Sequence, residues 1–147
     1  MKLSMPPRVK VLEALGAVSG GRVRVLSEKE AEVDASEGQR TYRVYVDLEK
    51  RVADSDDNGT VYRGYVGYPI IAFLMALKQL PYDEEIGRLL ASVRWRTINE
   101  RYKSYRVVES VIKEQLAKGG IPSERVDRVI KDVLEQVEKL GLSKAST

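Results

Sequence analysis

The sequence predicts an α+β fold, an antiparallel β-meander of four or five strands packed on a helical C-terminal half, and three observations carry that prediction. RVRVL (22–26), AEVDA (31–35) and TYRVYVDL (41–48) alternate apolar and polar residues, as strands with one buried and one solvated face do. PIIAFLMALKQL is apolar all round, the composition of a helix enclosed by other elements. Val126, Val129, Ile130, Val133, Leu134, Val137 and Leu140 form one unbroken stripe at helical spacing near the carboxy end.

The remaining elements follow in order. Pro6 and Pro7 precede RVKVLEALGAV, whose Val11, Leu12, Leu15 and Val18 recur at helical spacing until Gly20–Gly21 stops the helix. Asn58–Gly59 is a short-hairpin signal between Val52–Asp56 and Val61–Val66. Pro69 suits a first helical turn, and Pro81 ends that helix. Asp83 caps DEEIGRLLASV, with Glu84 and Glu85 favourable in its first turn. A longer helix runs from about Arg94 to Lys118, and Ser123 caps the last one, which Gly141 closes. Residues 1–142 therefore make a single domain, and SKAST (143–147) is small and polar, a flexible tail.

Composition narrows the chemistry. The 147 residues include no Cys and no His, which removes disulfides, thiolate nucleophiles, the commonest metal ligand and the usual acid–base residue. No cofactor or metal is expected, and no catalytic residue can be named. Two Asn and four Gln stand against 25 Lys+Arg and 22 Asp+Glu, the balance of a thermophile's protein. The longest apolar stretch, Pro69 to Leu77, is far short of the roughly 20 residues that span a bilayer, and MKLSMPPRVK has no apolar signal core. A cytoplasmic protein without a membrane partner is expected. Net charge is only +3, but residues 86–118 hold eight basic groups against three acidic ones.

Over Leu15 to Leu77 the chain resembles a SWIM-type zinc-finger module, with its "sGrVr" strand, "tYrV.vdl" strand, hairpin, and corner leading into an apolar helix. The family's zinc ligands are absent. Gly67 and Pro69 stand where Cys and His would, and Asp54-x-Asp56 is the nearest counterpart of the Cys-x-Cys pair. The resemblance implies a zinc-free derivative serving as a DNA-binding or protein-interaction unit.

Three local patterns bear on function. Asp54-Ser55-Asp56-Asp57-Asn58-Gly59 matches the opening of a calcium loop, but its twelfth position is Tyr65 instead of a bidentate Glu, so a solvated turn is the plainer reading. Tyr62, Tyr65 and Tyr68, with Arg63 among them and Tyr42 and Tyr45 nearby, could stack on unpaired bases. In a regular strand, however, Tyr62 and Tyr65 would face opposite ways. On one continuous helix of 94–118, Arg96, Asn99, Lys103, Arg106, Ser110 and Lys113 gather on one side, with Ile98, Tyr102, Tyr105, Ile112 and Leu116 toward the core.

A basic strip with one Asn suits nucleic acid, since Lys and Arg meet phosphates and Asn can read adenine. It also suits an ordinary solvated face. The reading is a non-catalytic binding or adaptor protein, with nucleic acid met through Arg96, Asn99, Lys103, Arg106 and Lys113. The alternatives are a structural or protein-interaction subunit, homodimers included, that uses the C-terminal helix, and an enzyme of unrecognised type.

Overall fold

The computed structural model describes residues 1–145 as an α+β fold with one five-stranded sheet. Strands β1 (Val23–Val25), β2 (Glu30–Asp34), β3 (Thr41–Asp47) and β4 (Val52–Ser55) pair antiparallel in chain order. The expected alternation holds in β2 and β3, where Ala31, Val33, Val44 and Val46 turn inward, but not in the edge strand β1, where Val25 is 47% exposed. On the outer face Arg24 donates to Asp34 across the β1–β2 pair at 2.6 and 2.9 Å, and these bonds hold the Asp34 carboxyl at about 2.

Helix α1 (Val9–Ser19) and helix α3 (Tyr68–Ala76) fill the space behind the sheet. Ile70 to Leu74 of α3 are without solvent exposure, which explains why its sequence shows no polar face. Helix α4 (Glu84–Leu90) crosses α1 at glycine contacts made from both sides. A Cβ on Gly16 would stand 2.7 Å from the Leu90 carbonyl oxygen, and one on Gly87 would stand 2.3 Å from Ser19 Oγ and 3.1 Å from the Leu15 carbonyl oxygen. Asp83 caps α4 as its sequence implies, accepting from the Ile86 N–H at 3.0 Å.

The last helix, α7 (Ser123–Leu140), buries Val126, Ile130, Val133 and Val137 within the chain itself. Its Arg125 reaches Asp83 and Glu85 at the start of α4, at 2.9 and 2.6 Å. Gly141 ends it in the left-handed region (φ 57°). Ser123 sits one place inside the helix, behind an extended Pro122, and makes no capping bond. Among the described residues, no helix is long and apolar enough to cross a membrane.

Three further expectations are corrected. Asn58–Gly59 does not turn a hairpin but opens a short helix, α2 (Asn58–Arg63). Asp57 is extended and its carboxylate accepts from the Thr60 N–H at 3.2 Å and the Thr60 hydroxyl at 2.8 Å, so a helix cap overrides the local turn signal. The long helix is two, α5 (Trp95–Tyr102) and α6 (Tyr105–Lys118). Lys103 takes a left-handed conformation (φ 51°), and Ser104 then caps α6 by accepting from the Val107 N–H. Finally, the start of the expected tail 143–147 joins the sheet: Ser143–Lys144 is β5, parallel to β4, and the Ala145 N–H donates to the Ala53 carbonyl at 2.9 Å. Ser146 and Thr147 lie outside the described residues.

Two stability predictions follow from this packing. Gly16→Ala would gain about 1 kcal/mol of helix propensity but places a methyl group against backbone that cannot yield, which puts the overpacking cost at the upper end of the usual range, about 2–3 kcal/mol. The net expectation is a melting temperature lower by about 2–8 °C, read by calorimetry; an unchanged or higher value would show that α1 and α4 separate freely. Val133→Asp puts an unpaired carboxylate at a site with no exposure, and is expected to abolish the cooperative unfolding transition followed by circular dichroism. A folded monomer carrying Asp at 133 would mean that the stripe is not core.

Candidate functional site

Four segments far apart in sequence enclose a cleft of about 700 Å³. Helix α1 supplies its floor with Lys10 and Glu13. The β2–β3 turn and the start of β3 supply one wall, with Ser36, Arg40 and Tyr42. Helix α2 and the chain after it supply another, with Asn58, Gly59, Arg63, Tyr65 and Tyr68. Trp95, Arg96 and Asn99 of α5 close it, and Tyr105 stands at the α5–α6 junction.

Helix α5 has no cap of its own, and the sheet provides one. Glu37, in the β2–β3 turn, accepts from the Thr97 N–H at 2.8 Å and from the Thr97 hydroxyl, and pairs with Arg94 at 3.2 Å. Ser36 Oγ accepts from the Trp95 N–H at 3.0 Å. The Thr97 N–H in particular holds the Glu37 carboxyl below the usual carboxylate range. Two turn residues thus position the Trp95 and Asn99 side of the cleft.

Glu13 is 3% exposed, although it is an acidic side chain on a helix whose neighbouring residues are apolar. Its Oε1 accepts from Lys10 Nζ at 2.9 Å and from Asn99 Nδ2 at 3.2 Å. Burial pulls the Lys10 ammonium down, but the charge and hydrogen bond of Glu13 outweigh it, and the net shift is upward. Lys10 also lies 5.2 Å from the centroid of the Tyr105 ring. Burial raises the Tyr42, Tyr65 and Tyr68 hydroxyls above the ordinary phenol range, with Tyr105 adding to the rise at Tyr65. At neutral pH the cleft therefore presents an ammonium and neutral phenols.

The tyrosines converge because 58–63 is helical. Tyr42 and Tyr68 meet edge to face, with centroids 6.0 Å apart, and the Arg40 guanidinium lies 5.0 Å from the centre of the Tyr42 ring. Tyr65 lies over Gly59, where a Cβ would stand 2.2 Å from its ring. Tyr62 points to solvent, 79% exposed, and is not among the residues lining the cleft.

The basic strip expected on one long helix is broken up by the kink at Lys103. Arg96 and Asn99 line the cleft, and Arg96 pairs with Glu100 at 3.1 Å. Lys103 lies in an adjoining hollow with Arg63, Asn99, Ser104 and Tyr105. Arg106 and Ser110 line a third hollow with Arg8, Glu109 and again Tyr105. Lys113 is taken up in an ion cluster with Glu109 and Asp127, which Arg8 joins. Tyr105, expected in the core, is 46% exposed.

Lys10, Glu13, Arg40 and Trp95 are missing from any reading of the sequence as a site. One signal was present: VLEALGAV leaves Glu13 no polar helix face to occupy. The acidic run offers no metal cage, since Asp54 accepts from the Ser55 N–H, Asp56 from the Arg43 N–H, and Asp57 caps α2. Among the described residues no three Asp or Glu side chains converge to hold a metal ion. The segment that the SWIM-type pattern places in a hairpin is α2.

The pH response of α5 follows from its borrowed cap. Glu37 has a lowered folded-state pKa, so its contribution is present above the unfolded value of about 4.3 and is lost as pH falls through the lower folded value. Acidification below about pH 4 should loosen α5 before the core melts, as a change in emission of Trp95, the single tryptophan. Glu37→Gln should show the loosened emission already at neutral pH. Identical acid profiles for both proteins would contradict the assigned cap.

No curated protein and no solved structure matches the chain. A family model does, over residues 3–143, nearly the full described length and every element of the cleft: the chain belongs to the family described as "Uncharacterised conserved protein UCP014422".

Proposed function

We propose that the protein is a binding module for single-stranded nucleic acid, whose bases enter the tyrosine-lined cleft while the backbone follows the basic hollows beside it. One observation carries this reading: Arg63, Asn99 and Tyr105 belong both to the cleft and to the hollow containing Lys103, so aromatic faces and cations line one continuous path. Among the described residues Arg40, Arg63, Lys103 and Arg106 have no ion-pair partner, whereas the other cations lining the cleft and these hollows, Arg8, Lys10 and Arg96, are paired. Unpaired cations beside stacking surfaces suit an unpaired strand, because every base has a π face and every nucleotide brings a phosphate. The concave shape favours flexible single strands over a rigid duplex. The raised phenols and the raised Lys10 favour binding over proton transfer, since general acid–base work needs a group poised near the working pH.

The test is fluorescence anisotropy of labelled short oligonucleotides, with Trp95 emission as a local readout. Contacts from Arg40, Arg63 and Lys103 should give a log–log salt slope of about −2, at roughly −0.7 per phosphate on single strands. The double change Arg63→Glu and Lys103→Glu should weaken binding at least about tenfold and flatten that slope by about 1.4. Lys131→Glu, on the exposed face of α7, should leave both unaltered. Absence of binding at low ionic strength, or an undiminished slope in the double variant, would overturn the proposal.

A further inference from the structure

Helix α2 carries an aromatic side chain that the cleft itself does not take up. Tyr62 is 79% exposed and does not line the cleft, yet its place on the helix is fixed by residues that do. Asn58, Gly59 and Arg63 line the cleft, and at about 100° per residue they mark out an arc of about 140° on α2, with Tyr62 inside it, about 40° from Asn58. The Cα–Cβ bond of a helical residue tilts toward the amino end of its helix, which sets Tyr62 above Asn58, one turn earlier. Tyr62 therefore stands at the mouth of the cleft, on its solvent side.

Tyr65 comes to the same side of the helix. Gly64 ends α2 in the left-handed region (φ 67°), the Tyr65 N–H donates to the Gly59 carbonyl at 3.2 Å, and the Tyr65 ring then lies over Gly59. In a strand the two tyrosines would face opposite ways, but the helix and its left-handed end bring Tyr65 into the cleft and leave Tyr62 just outside it. The helix beneath them is held in place, since Asp57 caps it and Thr60 is without exposure.

We infer that Tyr62 is an outer stacking platform that holds the base next to the one inside the cleft, an inference that rests on the single-strand reading. A tyrosine on a fixed helix has only two side-chain torsions to lose when a base settles on its ring. Arg63, the next residue, lies on the same arc and has no ion-pair partner, so the phosphate that joins the inner and outer nucleotides meets a cation there. Stacking uses the π face that every base has and reads no edge, so Tyr62 adds affinity without base preference.

The experiment compares the unaltered protein with Tyr62→Ala and Tyr62→Phe by anisotropy of a labelled six-nucleotide oligouridine. Alanine should weaken binding at least about fivefold, the low end of what a base stacked on an aromatic side chain contributes, and phenylalanine, which keeps the ring, should stay within about twofold. The log–log salt slope should be the same in all three proteins, because neither change removes a phosphate contact. A strand of the same length that is abasic except at one nucleotide should bind the alanine variant and the unaltered protein alike, because its one base occupies the cleft. Undiminished binding of the oligouridine by the alanine variant overturns the platform and leaves the single-strand reading standing. So does a loss that phenylalanine does not restore, or one of equal size on the single-base strand. No binding of any oligonucleotide by the unaltered protein overturns both.

Discussion

A buried carboxylate is the constraint around which this structure is organised. Glu13 sits on a helix whose other inward residues are apolar, and a carboxylate in such surroundings is tolerated only when it is paired and hydrogen-bonded. Lys10, one turn earlier on the same helix, provides the charge, and Asn99, far along the chain, provides the second donor. The first partner comes with α1 itself. The second requires α5 to be in place, so the helix that closes the cleft also helps satisfy the helix that floors it. The glycine contacts between α1 and α4 fix α1 further, because they let the two helices pack closely one turn after Glu13.

Helix α5 is held at one end by the sheet and at the other by a break in the chain. Its first turn takes acceptors from Ser36 and Glu37, and its last residue is followed by Lys103 in a left-handed conformation. Neither anchor is a large apolar contact, and apart from Trp95 the helix has no fully buried residue. An element tethered by exposed polar bonds opens at lower free energy than a packed core helix does. The cleft therefore has one compliant wall, α5, set against walls made from the sheet and from α2, whose cap Asp57 is locked by Thr60 and closely approached by Gly67.

Elements whose physics is local could be read from the sequence. The strands at 22–48, the start of α3, Asp83 and the stripe of α7 each follow from periodicity or capping within a few residues, and each stands where that physics puts it, although α3 ends at Ala76, before a left-handed Lys78 (φ 62°), and not at Pro81. The misread segments carried two valid local signals at once. Asp57-Asn58-Gly59-Thr60 is both a turn sequence and a cap three residues before a hydroxyl, and the tertiary bond from the Gly67 N–H to Thr60 Oγ1 favours the cap. Ser104 reads as a tolerable polar residue inside a helix, yet it is a cap in its own right. The cleft itself was not legible, because its walls come from residues near 10, 37, 60 and 100, and only the fold brings these together. Of the strip expected to meet nucleic acid, Arg96, Asn99 and Lys103 lie on the proposed path, Arg106 adjoins it, and Lys113 is committed to Glu109 and Asp127.

The unpartnered atoms bear on why this cleft is more than a packing fault. Leaving a buried donor or acceptor unsatisfied costs about 1–3 kcal/mol, and Trp95 Nε1 and Asn99 Oδ1 incur that cost in one place. A Phe at 95 would remove the first of these costs and an apolar residue at 99 the second, the latter at the expense of one of the two donors to Glu13. Of the four unpartnered buried side-chain atoms among the described residues, two belong to Arg22 and the other two to this cleft. On the single-strand reading proposed above, these two broken local rules belong to residues lining the concavity that would hold the ligand. Stability and binding therefore make opposite demands on Trp95 and Asn99, and changes there that raise the melting temperature should be the ones that weaken occupancy of the cleft.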